Sequence, residues 1–256
     1  MMTNPIIEAL MNRKSVRKFT NRQLTRDELE TIVRAGQQAP FASQLYSVLY
    51  STEGPIAYDA PIWFVVCVDT YKLERFMKLR GWSIVTNDLT LLLLGMQDAA
   101  YMAENMVVAA ESLGIGSCFL GAVSSSAARI KALRERFALP NRVLPMVEMV
   151  MGYPDEEFPP RPRYPLAFTL FENRYPELSD DDVGEAMKVM DDGYLRQEYY
   201  KRNGVKIVLE DGREDPYTFD DYSWTEHISR KWGQWDESPN ELLDMLQECG
   251  FSLFKH

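Results

Sequence analysis

The stretch Asp98–Gly121, DAAYMAENMVVAAESLGIGSCFLG, decides how the rest of the chain is read. Apolar or small residues fall on every face of its first part: Ala99, Met102, Met106, Val107, Ala109, Ala110, Leu113. A helix that is apolar all round is buried at the centre of a large domain or inside an oligomer. The pattern extends back through Leu91–Leu94, so the spacing predicts a long helix starting near Asp88, which can cap it. Gly114 can close it in a left-handed conformation, and Gly116 lets the chain enter a short extended run, Ser117–Leu120. Gly121 then leaves a main-chain amide uncovered by any side chain. In a dinucleotide fingerprint the glycines follow a strand and open a helix; here they follow a helix and open a strand, so that reading is rejected.

The chain of 256 residues has room for one large domain, or a domain with an extension. With 28 Lys and Arg against 38 Asp and Glu its formal charge is −10, which argues against nucleic acid or an anionic membrane as the main partner. Cys67, Cys118 and Cys249 lie far apart and match no metal spacing. Their odd count and the absence of a secretory leader point to a reducing, cytoplasmic setting. Two histidines, His227 and His256, give little basis for a histidine metal cluster or a Ser-His-Asp triad. No apolar run is long enough to span a bilayer.

Upstream, Asn4-Pro5 opens a short helix over 4–12 that delivers Arg13-Lys14-Ser15-Val16-Arg17-Lys18. In an extended segment Arg13, Ser15 and Arg17 face one way, and two guanidiniums beside a hydroxyl suit a phosphate and a polar ring edge. A solvated basic stretch has the same composition. Thr25-x-x-Glu28 is a capping box for a helix that fails before Pro40. Pro40–Ser47 reads as a loop, ordinary or ligand-facing. Residues 62–69 and 143–151 read as buried strands, although Pro145 favours an edge or an end. A helical pattern covers 124–137, and 152–165 is proline-rich, with Arg161 and Arg163 flanking Pro162. Beyond residue 176 a helix is expected from Ser179 to Met190, a strand over Val205–Leu209, and a capping box at Ser238–Glu241 before a helix ending at Gly250. Arg230 and Lys231, among aromatics, are candidates to favour a phosphorylated nicotinamide or are ordinary surface charge.

Taken in order, Arg13-x-Ser15-x-Arg17, Ala39-Pro40, a strand ending in Asp69, the Asp98–Gly116 helix and turn, and Gly152-Tyr153-Pro154 followed by Arg161-Pro162-Arg163 resemble the nitroreductase-like flavoenzymes over residues 5–175. The resemblance implies an α+β sandwich, a central mostly antiparallel sheet flanked by helices, assembled as a homodimer with an FMN in each of two clefts. Residues 1–175 would form the FMN-binding core, and 176–256 a C-terminal extension packing on the core or on the partner subunit. By the same resemblance Arg13, Lys14 and Ser15 would hold the phosphate and ribityl chain, and Arg17 the pyrimidine edge. Arg161 and Arg163 would reach the phosphate. The loop Pro40, Phe41, Ala42, Ser43, Gln44 would contact the flavin of the other subunit, and Phe119, Leu120, Gly121 and Ala122 would line the ring. Phe41 stands where the family usually has a hydroxyl, which trades hydrogen bonding for ring contact.

The activity implied is transfer of hydride from NAD(P)H through FMN to an electron-poor acceptor (nitroaromatic, quinone or activated alkene) in a ping-pong order. The cofactor carries the chemistry, with no catalytic side chain and no metal. Dehalogenation or flavin fragmentation on the same fold, a flavin-binding module without turnover, and a cofactor-free interaction protein are the competing readings.

Overall fold

The structure, a computed structural model, describes residues 3–236 and 238–253. Its contacts divide the chain into two units: residues up to Phe158 together with those from Pro239, and Pro159–Ser238. The boundary expected at residue 175 thus falls inside the second unit, and the last helix belongs to the first.

In the first unit, strands β1 (Tyr46–Ser51), β2 (Ile62–Asp69), β3 (Gly116–Leu120) and β4 (Val143–Gly152) form one sheet in the order β1-β2-β4-β3, antiparallel throughout. Every residue of β2 is buried, as its unbroken apolar run requires. Its side chains alternate between two cores. Trp63, Val65 and Cys67 pack with Ile130 and Leu133 of α5 (Ala127–Arg136) and Met245 of α9 (Asn240–Glu248). Ile62, Phe64 and Val66 pack with α2 (Arg26–Gln37) and with Ala99–Ala110 of α4 (Asp88–Ser112). The sheet is therefore the middle of three layers.

Helix α4 is long and buried as expected, but Asn87, not Asp88, caps it, accepting from the Thr90 amide. A Cβ at Gly95 would overlap Val68 Cγ1, so glycine is what lets the helix lie against β2. Gly114 takes φ +73°, which ends the helix, and the Ile115 amide returns to Ala110 O at 2.9 Å. The Thr25–Glu28 box and the Asn4 cap of α1 (Pro5–Asn12) both form. Pro145 lies in a central strand rather than at an edge, and is accommodated in two ways. The β2–β4 register shifts there, with Met146 as the extra residue, and the β3 pairing spans only Glu148–Gly152.

Strand β1 and helix α3 (Tyr71–Leu79) have no counterpart in the sequence reading. The N-cap of α9 is Pro239, one residue later than the box at Ser238 implies. This last helix leads into a return segment locked on Arg142. The Arg142 amide donates to Cys249 O at 2.7 Å, while its guanidinium donates to Gly250 O at 2.7 Å and to Asp88 at 2.5 Å. Asp88 in turn accepts from the Ser252 amide at 2.8 Å. These bonds hold Arg142 at φ +72°, a strained value for a side-chain-bearing residue.

The second unit holds α6 (Asp180–Arg196), α7 (Tyr199–Asn203) and α8 (Trp224–Gln234). Residues 205–209 are not a strand. Side chains take the place of a partner strand: the Ile207 amide donates to Tyr222 Oη, Ile207 O accepts from Arg230, and Val208 O accepts from Gln234.

Replacing Arg142 by Ala removes the cation from a nearly buried pair with Asp88 and is expected to cost about 3 kcal/mol. The measurement is the urea midpoint of purified protein, and an unchanged midpoint would show that the clamp contributes nothing.

Candidate functional site

The segment leaving α1 is stitched on both sides. Ser15 bridges Ser117 of β3 in parallel, and the Val16 amide donates to Ser117 O at 2.8 Å. On the other side Phe19 bridges Pro154, the Asp155 amide donates to Lys18 O at 2.9 Å, and the Arg17 and Lys18 amides share Glu156 Oε1. The Val16 side chain is buried against Gly116, where a Cβ would overlap it. By strand alternation that turns Arg13, Ser15 and Arg17 the other way, and all three are half-buried. Lys14 Nζ sits 5.5 Å from the centre of the Phe158 ring.

The parallel direction carries Arg17 toward the end of β3. Cys118 there is pushed up by burial, against the opposing influence of Arg17, a hydrogen bond from Ser15, and Arg13. Phe119 and Leu120 are half-buried, each on a different core, and Gly121 and Ala122 lie exposed in a short 3-10 turn. A Cβ at Gly121 would meet nothing within 4 Å, so the main chain at the strand end is open to a flat ligand. Two guanidiniums and a hydroxyl on one face of the segment, with uncovered backbone at the end of β3, are a donor set that fits a phosphate joined to a planar ring. These residues suit an FMN.

The loop Pro40–Gln44 is anchored elsewhere. Asp98, 1% exposed in the middle of α4, accepts from the amides of Ala42 at 2.6 Å, Ser43 at 3.2 Å and Leu45 at 2.9 Å. Gln44 takes φ +53° to complete the turn, and Phe41 stands 52% exposed. In the sequence Asp98 is one of several carboxylates of this helix, with Asp88, Glu104 and Glu111, and nothing local marks it as the buried anchor. Along α4, Asp98 and the end that abuts the 13–17 segment are ~20 Å apart at 1.5 Å per residue.

Arg161 and Arg163 belong to the second unit. Arg161 donates to Gln197 Oε1 at 2.6 Å and lies over the Tyr199 ring at 4.1 Å. Arg163 is exposed and donates back to the carbonyls of Arg161 and Pro162. The suggestion that Arg230 selects a phosphorylated nicotinamide is overturned. Arg230 is 4% exposed, donates twice to Asp215 at 2.8 and 2.7 Å, and reaches Glu226 at 2.7 Å. Those partners hold its pKa above the usual arginine value and leave it facing inward. Lys231 instead lies over Trp232 and Trp235, which stack on each other. Among the described residues no group of His, Cys, Asp and Glu could hold a metal ion, and no helix is long and apolar enough to cross a membrane.

Comparisons with known proteins identify the family. The model of the Nitroreductase family matches residues 10–53 and 49–153. The FMN reductase (NADPH) of Bacillus subtilis is 29% identical over 205 residues, 73% of this chain and 81% of that protein. The NADPH-flavin oxidoreductase of Vibrio harveyi is 31% identical over 195 residues, 70% of this chain and 78% of that one. The structure of NfrA2 from B. megaterium superposes with a TM-score of 0.82 at 23% identity, covering 99% of this chain and all of the other. On the family match, which spans more than half its length, the chain belongs to the nitroreductase family.

Proposed function

We propose that the protein is an FMN-dependent NADPH oxidoreductase that reduces an electron-poor small molecule. The observation that carries the reading is the stitched 13–17 segment, which presents Arg13, Ser15 and Arg17 beside the open main chain at the end of β3. Both relatives named above carry NADPH and a flavin in their names. When bound, FMN supplies the two-electron chemistry. The chain's own part is to hold and orient it. Arg13, Lys14 and Ser15 take the phosphate end. Arg17 takes the pyrimidine edge. Phe119, Leu120, Gly121 and Ala122 form the ring wall. NADPH and the acceptor (nitroaromatic, quinone or activated alkene) then use one cleft in turn, so no acid–base side chain is required.

The working unit we propose is a homodimer in a cytoplasmic setting. One chain's Pro40–Gln44 loop is pinned ~20 Å along α4 from its own 13–17 segment, which suits a loop serving the partner's flavin. Ile6, Leu10 and Met11 of α1 and Leu89, Leu93 and Tyr101 of α4 are exposed, an apolar surface that a second copy would cover. Three free, buried cysteines suit reducing conditions.

Purified protein is expected to show flavin absorption that bleaches on anaerobic addition of NADPH. Bands that persist would favour a flavin module without turnover, and a colourless protein that FMN cannot reconstitute would overturn the reading. Arg13→Ala should weaken FMN binding by about tenfold or more, the loss of one charged hydrogen bond, with the fold intact by circular dichroism. Equal flavin retention would remove Arg13 from the site. Sedimentation should give the mass of two chains, and that of one chain would refute the shared cleft.

A further inference from the structure

The last turn of α4 carries a carboxylate that holding a phosphate does not require. Glu111 lies three residues before Gly114, and its Oε1 is sealed from solvent without a hydrogen-bond partner. The charged groups that act on it are Arg13 and Lys14 of the segment leaving α1. They do not offset its burial, which pushes the carboxyl up to about 7. Its place adds to the penalty. The final turn of a helix exposes carbonyl oxygens, so a negative side chain is least favoured there, and the last turn of α4 holds no basic residue.

We propose that Glu111 is a proton-linked counter-charge for the phosphate end of the site: ionised, it stands in for a ligand beside Arg13 and Lys14, and a phosphate dianion binding there is matched by uptake of one proton from solvent onto Glu111. The inference rests on reading Arg13, Lys14 and Ser15 as the FMN phosphate site. A dianion brought near a buried carboxylate raises that carboxylate's affinity for a proton, and by linkage the proton raises affinity for the dianion. The sign follows directly. Below about pH 7 Glu111 is protonated with or without ligand, and FMN binds best. Above it the ligand-free protein loses a proton that the complex keeps, so affinity falls as pH rises. The second ionisation of the phosphate, near pH ~6, acts in the opposite direction but is nearly complete before this window opens.

The experiment measures the FMN dissociation constant by fluorescence quenching between about pH 7 and pH 8.5, with a ceiling of about tenfold per pH unit for one linked proton. The unaltered protein should weaken several-fold across that range. Riboflavin, which lacks the phosphate, should show no such slope. Glu111→Gln should bind FMN with a flat profile, at least as tightly as the unaltered protein does at the low-pH end. Calorimetry in buffers of different ionisation enthalpy should show proton uptake on FMN binding by the unaltered protein, a readout that needs no variant. Equal slopes in the protein and in Glu111→Gln, or no proton uptake, would overturn the role of Glu111 alone. Failure to bind FMN at any pH would overturn the FMN reading and this inference with it.

Discussion

A single buried carboxylate organises the first unit. Asp98 sits in the middle of a helix whose neighbouring inward residues, Gly95, Ala99 and Met102, are apolar, where an unmatched charge would cost several kcal/mol. It is matched by three backbone amides of one loop, those of Ala42, Ser43 and Leu45. That solution fixes more than the charge. It sets where the chain leaves the loop, and so where Tyr46 starts β1 opposite Val68 of β2. The same helix, closing at Gly114, sets where β3 begins. Two strands on opposite edges of the sheet are thus positioned from one buried rod.

The two ends of that rod also separate the two kinds of functional segment. The basic segment is fixed to β3 and to residues 153–156, near the helix C-terminus, while the loop bearing Phe41 is fixed half-way back along the helix. In both attachments the segment's own backbone amides are held, the loop's by the short Asp98 carboxylate and the basic segment's in part by Ser117 O, which fixes position better than long surface rotamers do. A site assembled this way presents its cations on a rigid edge, and preorganised charge is what binding a dianion requires. In the second unit the opposite use of arginine is seen: Arg230 is spent inside, on Asp215 and Glu226, to join α8 to the irregular stretch before it.

Much of this was readable in the sequence where one residue's chemistry dictates its own surroundings. The all-apolar Ala99–Ala110 face demanded burial, the unbroken 62–69 run demanded a covered strand, and Thr25 with Glu28 demanded a helix start. Alternate spacing placed Arg13, Ser15 and Arg17 on one face if the segment is extended, and the burial of Val16 between them is what the structure adds. What was not readable depends on partners distant in the chain. Tyr46–Ser51 carries two serines among four larger residues and is only partly buried at an edge, so its strand state comes from β2 rather than from itself. Val205–Leu209 has strand composition, yet its backbone groups are met by Tyr222, Arg230 and Gln234 side chains. Nothing local distinguishes a cation bound by a carboxylate fifteen positions away, as Arg230 is by Asp215, from one left facing solvent. The Asp98 loop is the same case: the carboxylate is visible, its three donors are not.

The clamp on Arg142 bears on how the chain is made. The partners it needs, Cys249, Gly250 and, through Asp88, Ser252, are among the last residues of the described chain to be synthesised, while Arg142 emerges about a hundred residues earlier. During translation the first unit therefore carries an unfinished core, with the ground for α9 uncovered, while the whole of Pro159–Ser238 is being added. In topological terms the second unit is an insertion between two segments of the first. An excursion of that kind costs closure entropy that grows only slowly with its length, so its size is weakly constrained by the unit that contains it. A chain lacking the residues from α9 to Gly250 would have the sheet of the first unit without the segment that seals it.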